Sequence, residues 1–289
     1  MKYTIKRLSD AAIEVRISYK LREKYLFLLT SDHHFDSTKC DREKLKKHHE
    51  LAKEKEAGIF CFGDLFDVMQ GRSDRRGSKE DLRSEYSGGN YYDLVVDDAV
   101  NWYSKYADNY ILISPGNHET SILKYQETDV IKRLVAGINN KKNSNIQIGT
   151  YSGWIRFLLD YQGKKSGSIS FWLFYHHGYG GGGPVTKGVI QTNRKATYLP
   201  DATVIVSGHI HESWHVPVVQ ERVKKNGVPF ITKQHHISTP GYKEEYLAHK
   251  GWHIERGAPP KPTGGFWMEL SVFYKNNSRF IDYKFYEAD

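Results

Sequence analysis

Val204-Ile205-Val206-Ser207-Gly208-His209-Ile210-His211 is the stretch on which the fold turns. Three β-branched apolar residues in a row are too hydrophobic for a half-exposed strand, so they predict one buried on both faces, as in a parallel sheet. The run stops at Gly208 and delivers two imidazoles where the strand ends. Four more runs repeat the arrangement upstream. Asp32-His33-His34 follows the apolar segment 24–30, and Gly63-Asp64-Leu65-Phe66-Asp67 follows Ile59-Phe60-Cys61-Phe62. Gly116-Asn117-His118-Glu119 follows Tyr110-Ile111-Leu112-Ile113, and His176-His177-Gly178 follows the segment 171–175. Oxygen and nitrogen donors at strand ends are what an open α/β sheet gathers at its rim. The five runs predict a catalytic address with donors enough for two metal ions.

Between these runs strands and helices alternate. Residues 3–8 and 13–18 read as two short strands around Ser9-Asp10, a hairpin leading into a third strand at 24–30. Residues 41–56 alternate charges at helical spacing with only Leu45 and Leu51 as apolar anchors, which predicts a surface helix with His48 and His49 solvated. A second helix is expected over 91–106 and a third beyond Glu119 containing 130–138, followed by strands at 146–148, 154–159 and 169–175. Strands at 266–274 and 280–285 flank the turn signal Asn276-Asn277. Two segments break the rhythm: the polar stretch 70–90, and 178–184, whose five glycines let its backbone approach a ligand closely.

Composition narrows the class. The chain of 289 residues can be one large α/β domain, and because the donors run from Asp32 to His211 the intervening chain must fold as one unit to gather them. No stretch reaches the roughly 18–20 apolar residues that span a bilayer, and the first residues alternate like a strand where a signal peptide needs an apolar run. A cytoplasmic setting is expected, with no membrane partner. Cys40 and Cys61 exclude a disulfide framework and have no partner at zinc-site spacing. A net charge of +8 gives weak support to a phosphate-bearing substrate.

The donor types fit the chemistry. Asp32 and His34, two residues apart where a strand turns into a loop, can share one ion, and Asp64 after the sharp-turning Gly63 can present a carboxylate to two. Asn117 adds a neutral amide oxygen. Two such ions about 3.5–4 Å apart can share a hydroxide at neutral pH and neutralise phosphate oxygens. Carboxylate, amide and imidazole suit manganese, with iron, zinc or nickel as alternatives. His33, the middle residue of its run, is assigned to packing.

In order, D-x-H, G-D-x-x-D, G-N-H-E, His-Gly and G-H-x-H resemble the signature of the calcineurin-like metallophosphoesterases, over residues 25–215. The resemblance implies a four-layer αββα sandwich of two mixed β-sheets flanked by helices. Residues 1–289 would form a single metallophosphoesterase domain with an N-terminal strand hairpin (1–20) and a strand-rich C-terminal closing segment (216–289). It implies that Asp32, His34 and His211 hold one metal, that Asn117, His177 and His209 hold the other, and that Asp64 bridges them. His177 precedes Gly178 as in the motif, whereas His176 directly follows the apolar strand; His177 is favoured and His176 stays open. By the same resemblance His118 assists the leaving oxygen after in-line attack, oriented by a carboxylate for which Asp67 is the candidate.

The substrate expected is a phosphate ester, a phosphodiester favoured, with DNA or RNA as candidates. Arg72, Arg75, Arg76, Lys187, Arg194 and Lys195 lie in or just after the two unusual loops and could track a phosphodiester backbone. Phosphomonoesterase action on a small molecule or protein is the enzyme alternative, and a catalytically silent metal-binding scaffold the non-enzyme one. Val68-Met69 after Asp67 disfavours the protein serine/threonine phosphatase branch, which has Arg-Gly there.

Overall fold

The computed structural model describes residues 3–71, 74, 77, 81–162, 164–181, 183, 185–247, 252–255 and 257–288. Within them β-branched and aromatic runs assemble into two mixed sheets. The first, of seven strands, runs β1 (Tyr3–Ser9), β2 (Ala12–Tyr19), β7 (Ser152–Tyr161), β8 (Lys164–His176), β9 (Ala202–Ser207), β11 (Pro229–Ser238) and β10 (Trp214–Val223). The second, of six, runs β13 (Ser278–Ala288), β12 (Gly265–Lys275), β3 (Lys24–Thr30), β4 (Gly58–Phe62), β5 (Tyr110–Ser114) and β6 (Gln147–Ile148). β3 to β6 are parallel neighbours, as are β8, β9 and β11, so both sheets turn a set of C-terminal strand ends toward one rim.

Apolar alternation glues the sheets face to face. Val15, Phe27, Phe60, Phe157, Leu173 and Val206 belong to one buried cluster between them. Phe27 is its hub, 5.1 Å from the Phe157 ring edge-on and 6.0 Å from Phe60. On the outer face of the second sheet, α1 (Arg42–Glu54), α2 (Tyr91–Tyr103) and α4 (Val130–Lys142) bury Leu45, Val95 and Leu134. The outer face of the first sheet has thinner cover, where α5 (Ile190–Tyr198) lies near a small cluster of Leu199, Ala202 and Ile205. The layers are therefore helix, sheet, sheet, helix.

Several expectations change in detail. Asp41 caps α1 by accepting the Lys44 N–H at 2.9 Å, but His48 and His49 are buried, not solvated. His49 bonds the Leu45 carbonyl and the Tyr110 hydroxyl, both at 2.7 Å, and His48 bonds the Tyr242 hydroxyl at 2.9 Å. Both ring nitrogens of His49 are thus satisfied, and His48 is anchored through Nδ1, so two histidines stand buried in a face whose sequence reads as polar. The helix expected beyond Glu119 is two: α3 (Asn117–Gln126) opens inside the donor run and ends at Glu127, whose φ of 52° breaks it from α4. The hairpin at 276–277 has both central residues left-handed, at φ 50° and 58°, as a two-residue type I′ turn requires. Among the described residues, no helix is long and apolar enough to cross a membrane.

Burial holds the His49 imidazole down at about 3, against 6.5 ordinarily. The unfolded chain therefore takes up a proton below pH 6.5 that the folded one refuses, so stability falls as pH drops from 6.5 toward 3. His49→Gln should remove one proton's worth of that slope, about 1.4 kcal/mol per pH unit, in urea titrations repeated between pH 7 and 4.

Candidate metal centre

All five donor runs leave C-terminal strand ends: those after β3, β4 and β5 from one sheet, those after β8 and β9 from the other. Gathering them demands abrupt turns. Asp32, His34, Asp64, His209 and His211 all adopt left-handed backbone, at φ 53°, 47°, 50°, 73° and 51°. Each such residue costs on the order of 1 kcal/mol or more and persists only where surroundings over-determine it. Here they do: the Asp32 N–H donates to the Gly63 carbonyl at 2.9 Å and the His34 N–H to the Asp64 carbonyl at 3.1 Å. The Gly208 N–H donates to the His177 carbonyl at 2.8 Å, and the His209 N–H to Asp32 Oδ2 at 2.9 Å, which ties one sheet's rim to the other's.

Three overlapping groups result, each with donor atoms within 4.8 Å of one another: Asp32, His34 and His211; His34, Asp64 and His118; Asp64, His177 and His209. Asp64 is shared by two of them. Asn117 joins through its amide oxygen, 3.0 Å from His177 Nε2. His34 Nδ1 lies 3.0 Å from Asp67 Oδ1, and its Nε2 faces His211 Nε2 at 3.4 Å. His177 Nδ1 donates to the Phe62 carbonyl at 2.9 Å, which turns its Nε2 to Asp64 Oδ2 at 3.1 Å. Outer ring nitrogens anchored to oxygen, with inner ones free to converge, are the usual support of metal-bound histidine.

These residues fit divalent ions by their charge, with Asp32, His34, Asp64 and His177 buried and Asn117, His209 and His211 partly open. Asp32 Oδ1 is buried without a hydrogen-bond partner. Burial alone would raise the Asp32 and Asp64 carboxyls, yet the surrounding imidazoles, His211 with His177 for Asp32 and His177 with His118 and His34 for Asp64, together hold both below the usual carboxylate range. Conversely, burial lowers His177 but Asp64 prevails and lifts it to about 10. Two ionised carboxylates that hold a proton on a buried imidazole would hold a divalent cation by the same field.

Around the donors lies a supporting layer that sequence patterns did not reveal. Lys243 donates to Asp67 Oδ1 at 2.9 Å; burial would raise the Asp67 carboxyl, but Lys243 together with His34 and His118 keeps it low. Asp36 accepts the main-chain N–H groups of Asp67 and Val68 at 2.6 and 2.9 Å. Glu119 accepts those of Gly116 and Phe66, both at 2.8 Å, and of Asp64 at 3.2 Å, though burial and then Asp64 push its carboxyl up to about 8. Only the acidic fourth letter of the G-N-H-E run hinted at this. Two glycines make room: a Cβ on Gly63 would stand 2.7 Å from His177 Cγ, and one on Gly116 would stand 2.5 Å from the Asp64 nitrogen and closer still to its carboxylate.

The remaining expectations sort by position. His118 faces Asp64 Oδ2 at 3.7 Å through Nε2, but its Nδ1 bonds the Asp67 main-chain carbonyl at 2.6 Å, so the carboxylate of Asp67 does not orient it. That carboxylate is engaged by Lys243 and His34 instead. His176 is in none of the three donor groups; its Nδ1 accepts the Gly178 N–H at 2.9 Å and its ring packs between Tyr151 and Tyr179. His33 is buried packing, bonded to Tyr103 and Thr30. Lys187 and Arg194 are exposed, while Lys195 next to them is buried. Arg72, Arg75 and Arg76 lie outside the described residues.

No protein-family model and no curated protein sequence matches the chain. Among solved structures it resembles vacuolar protein sorting 29 from Cryptosporidium parvum at 10% identity and TM-score 0.38, covering 92% of this chain and 99% of that one. Vacuolar protein sorting 29 from Entamoeba histolytica, complexed with zinc, gives 8% identity and TM-score 0.35 over 90% and 98%. A predicted phosphoesterase from Streptococcus pneumoniae gives 8% and 0.31 over 92% and 99%. Likeness this distant leaves activity to be argued from the chain's own residues. Two mixed sheets between helices thus carry at their common rim a His/Asp cluster built from five strand-end runs.

Gly116→Ala should push the Asp64 carboxylate out of place. Titration calorimetry is expected to show Mn²⁺ binding weakened about tenfold or more, with the circular dichroism spectrum retained.

Proposed function

We propose that the chain is a metal-dependent phosphoesterase with a phosphodiester as its favoured substrate. The observation that carries this reading is Asp64, buried and shared between two donor groups, one with His34 and His118 from its own sheet and one with His177 and His209 from the opposite sheet. Asp32, His34 and His211 would hold one ion, Asn117, His177 and His209 the other, and Asp64 both. Bound there, two divalent cations, manganese favoured, activate water at neutral pH and offset the charge of the phosphoryl group.

The protein's own groups do the rest. His118 Nδ1 donates to the Asp67 carbonyl, which leaves Nε2 facing the centre, where the doubly protonated ring would pass a proton to a departing alkoxide. Lys243 and Asp67 fix the His34 ring, acting through position and not through contact with substrate. Exposed Lys187 and Arg194, with the net charge of +8, favour a substrate bearing further phosphates, nucleic acid being one candidate. Two buried free thiols suit a reducing, cytoplasmic setting.

Hydrolysis of mono- and bis-nitrophenyl phosphate and of single-stranded DNA across divalent metals tests the reading. Asp64→Asn should abolish turnover and lower metal content. His118→Asn should keep the metal yet slow an alkoxide-leaving diester about 10²–10⁴-fold. Absence of turnover of every ester by fully metallated protein would transfer the assignment to a binding scaffold.

A further inference from the structure

On the outer face of the first sheet, α5, residues 178–181, Thr186, Gly188 and the ends of β9 and β11 surround a cavity of about 290 Å³. It adjoins the metal centre directly: Gly178, in its wall, follows His177, and Gly208 and Ile210 flank His209. Ile205, Ile210 and Trp214 give it apolar sides, and Lys195, Ser207 and His236 its polar end.

Lys195 is the unusual member. Its side chain turns inward from α5 while neighbouring Arg194 turns out, and it is only 7% exposed. Its ammonium donates to the Ser207 hydroxyl, and no carboxylate among the described residues pairs with it. A lysine that merely snorkels keeps its head in bulk water. A buried ammonium without a counter-ion is costly, and burial alone pulls this one down to about 8, still mostly charged at neutral pH. His236, against the same cavity, spends its Nε2 on Gln234 Oε1 at 2.9 Å and supplies no negative charge.

We propose that this cavity is a subsite for the part of the substrate that is not cleaved, and that it takes a compact group ending in a second acid, phosphate or carboxylate, held by Lys195 and Ser207. The proposal rests on the phosphoesterase reading for the centre next door and narrows it. A cavity of about 290 Å³ lies at the small end of small-molecule sites. It holds one ring or a few carbons and their acid, not a run of nucleotides, so the substrate is a small acidic ester.

The full chain loaded with Mn²⁺ is assayed on pairs that differ only in the remote group. Phenyl phosphate is set against 4-carboxyphenyl phosphate, and propyl phosphate against propane-1,3-diyl bisphosphate, each also as its methyl diester. The acidic member of at least one pair should be favoured about tenfold in kcat/KM, mainly through KM. The pair that shows it separates carboxylate from phosphate. In Lys195→Met, which removes a buried charge and should not lower the melting temperature, the preference should collapse; Ser207→Ala should weaken it. Benzoate binding to the same protein, followed by tryptophan fluorescence with Trp214 in the cavity wall, reads the subsite even where no ester is hydrolysed. Saturable binding weakened about tenfold by Lys195→Met supports the subsite whatever the centre does. Turnover with no acid preference in either pair, a preference unchanged in both variants, or no benzoate binding by protein that also lacks turnover overturns it.

Discussion

Asp32 and Asp64 are carboxylates buried beneath the rim of two sheets, and the donors and turns around them answer to that burial. Ionised acids in a protein interior persist only beside positive charge or well-aimed donors. Here the compensation comes first from His211 for one and His177 for the other, residues more than a hundred positions away in sequence. The strand ends must therefore meet, and the left-handed turns at five donors are the backbone's means of letting them meet. Local strain is accepted because hydrogen bonds between neighbouring loops hold the turns at Asp32, His34, Asp64 and His209.

The sheets divide the labour. Apolar packing between them, centred on Phe27, Phe60 and Phe157, sets the distance at which their rims face each other. Aromatic side chains with defined tilts leave little freedom for sliding, since dense cores resist small displacements. The donors thus inherit rigidity from a core that none of them joins. Around them, each polar partner is in turn held: Asp67 by Lys243, the Asp67 and Val68 amides by Asp36, and the Gly116, Phe66 and Asp64 amides by Glu119. Such a layer fixes ring orientation and tautomer, which the donors alone cannot do.

Charge is distributed unevenly about the rim. Acids concentrate at the centre, whereas the adjoining cavity contains a lysine and no described carboxylate. An anion entering between them would meet positive charge from whatever cation the acids hold and from Lys195 behind it. The thin helical cover on that side of the first sheet leaves room for the cavity.

The sequence by itself determined the donor runs and the strands that lead into them, because both are local, whereas the strands at 214–223 and 229–238 are not read from it. Val204-Ile205-Val206 can only be a buried strand, and the residues that follow it are donors by chemistry alone. The left-handed Asn276-Asn277 turn is legible for the same reason. What depended on distant partners was decided by tertiary structure. Period-two alternation puts His176 on the outer face of β8, whereas His177, past the strand end, turns inward to Asp64 and Asn117. His48 and His49 read as polar until Tyr242 and Tyr110 arrive to satisfy them. The final strands divide between the two sheets, and Lys243 reaches Asp67 from the connection between them; no window of sequence contains both. Pattern specifies which face a residue prefers; only the packed chain specifies what stands opposite it.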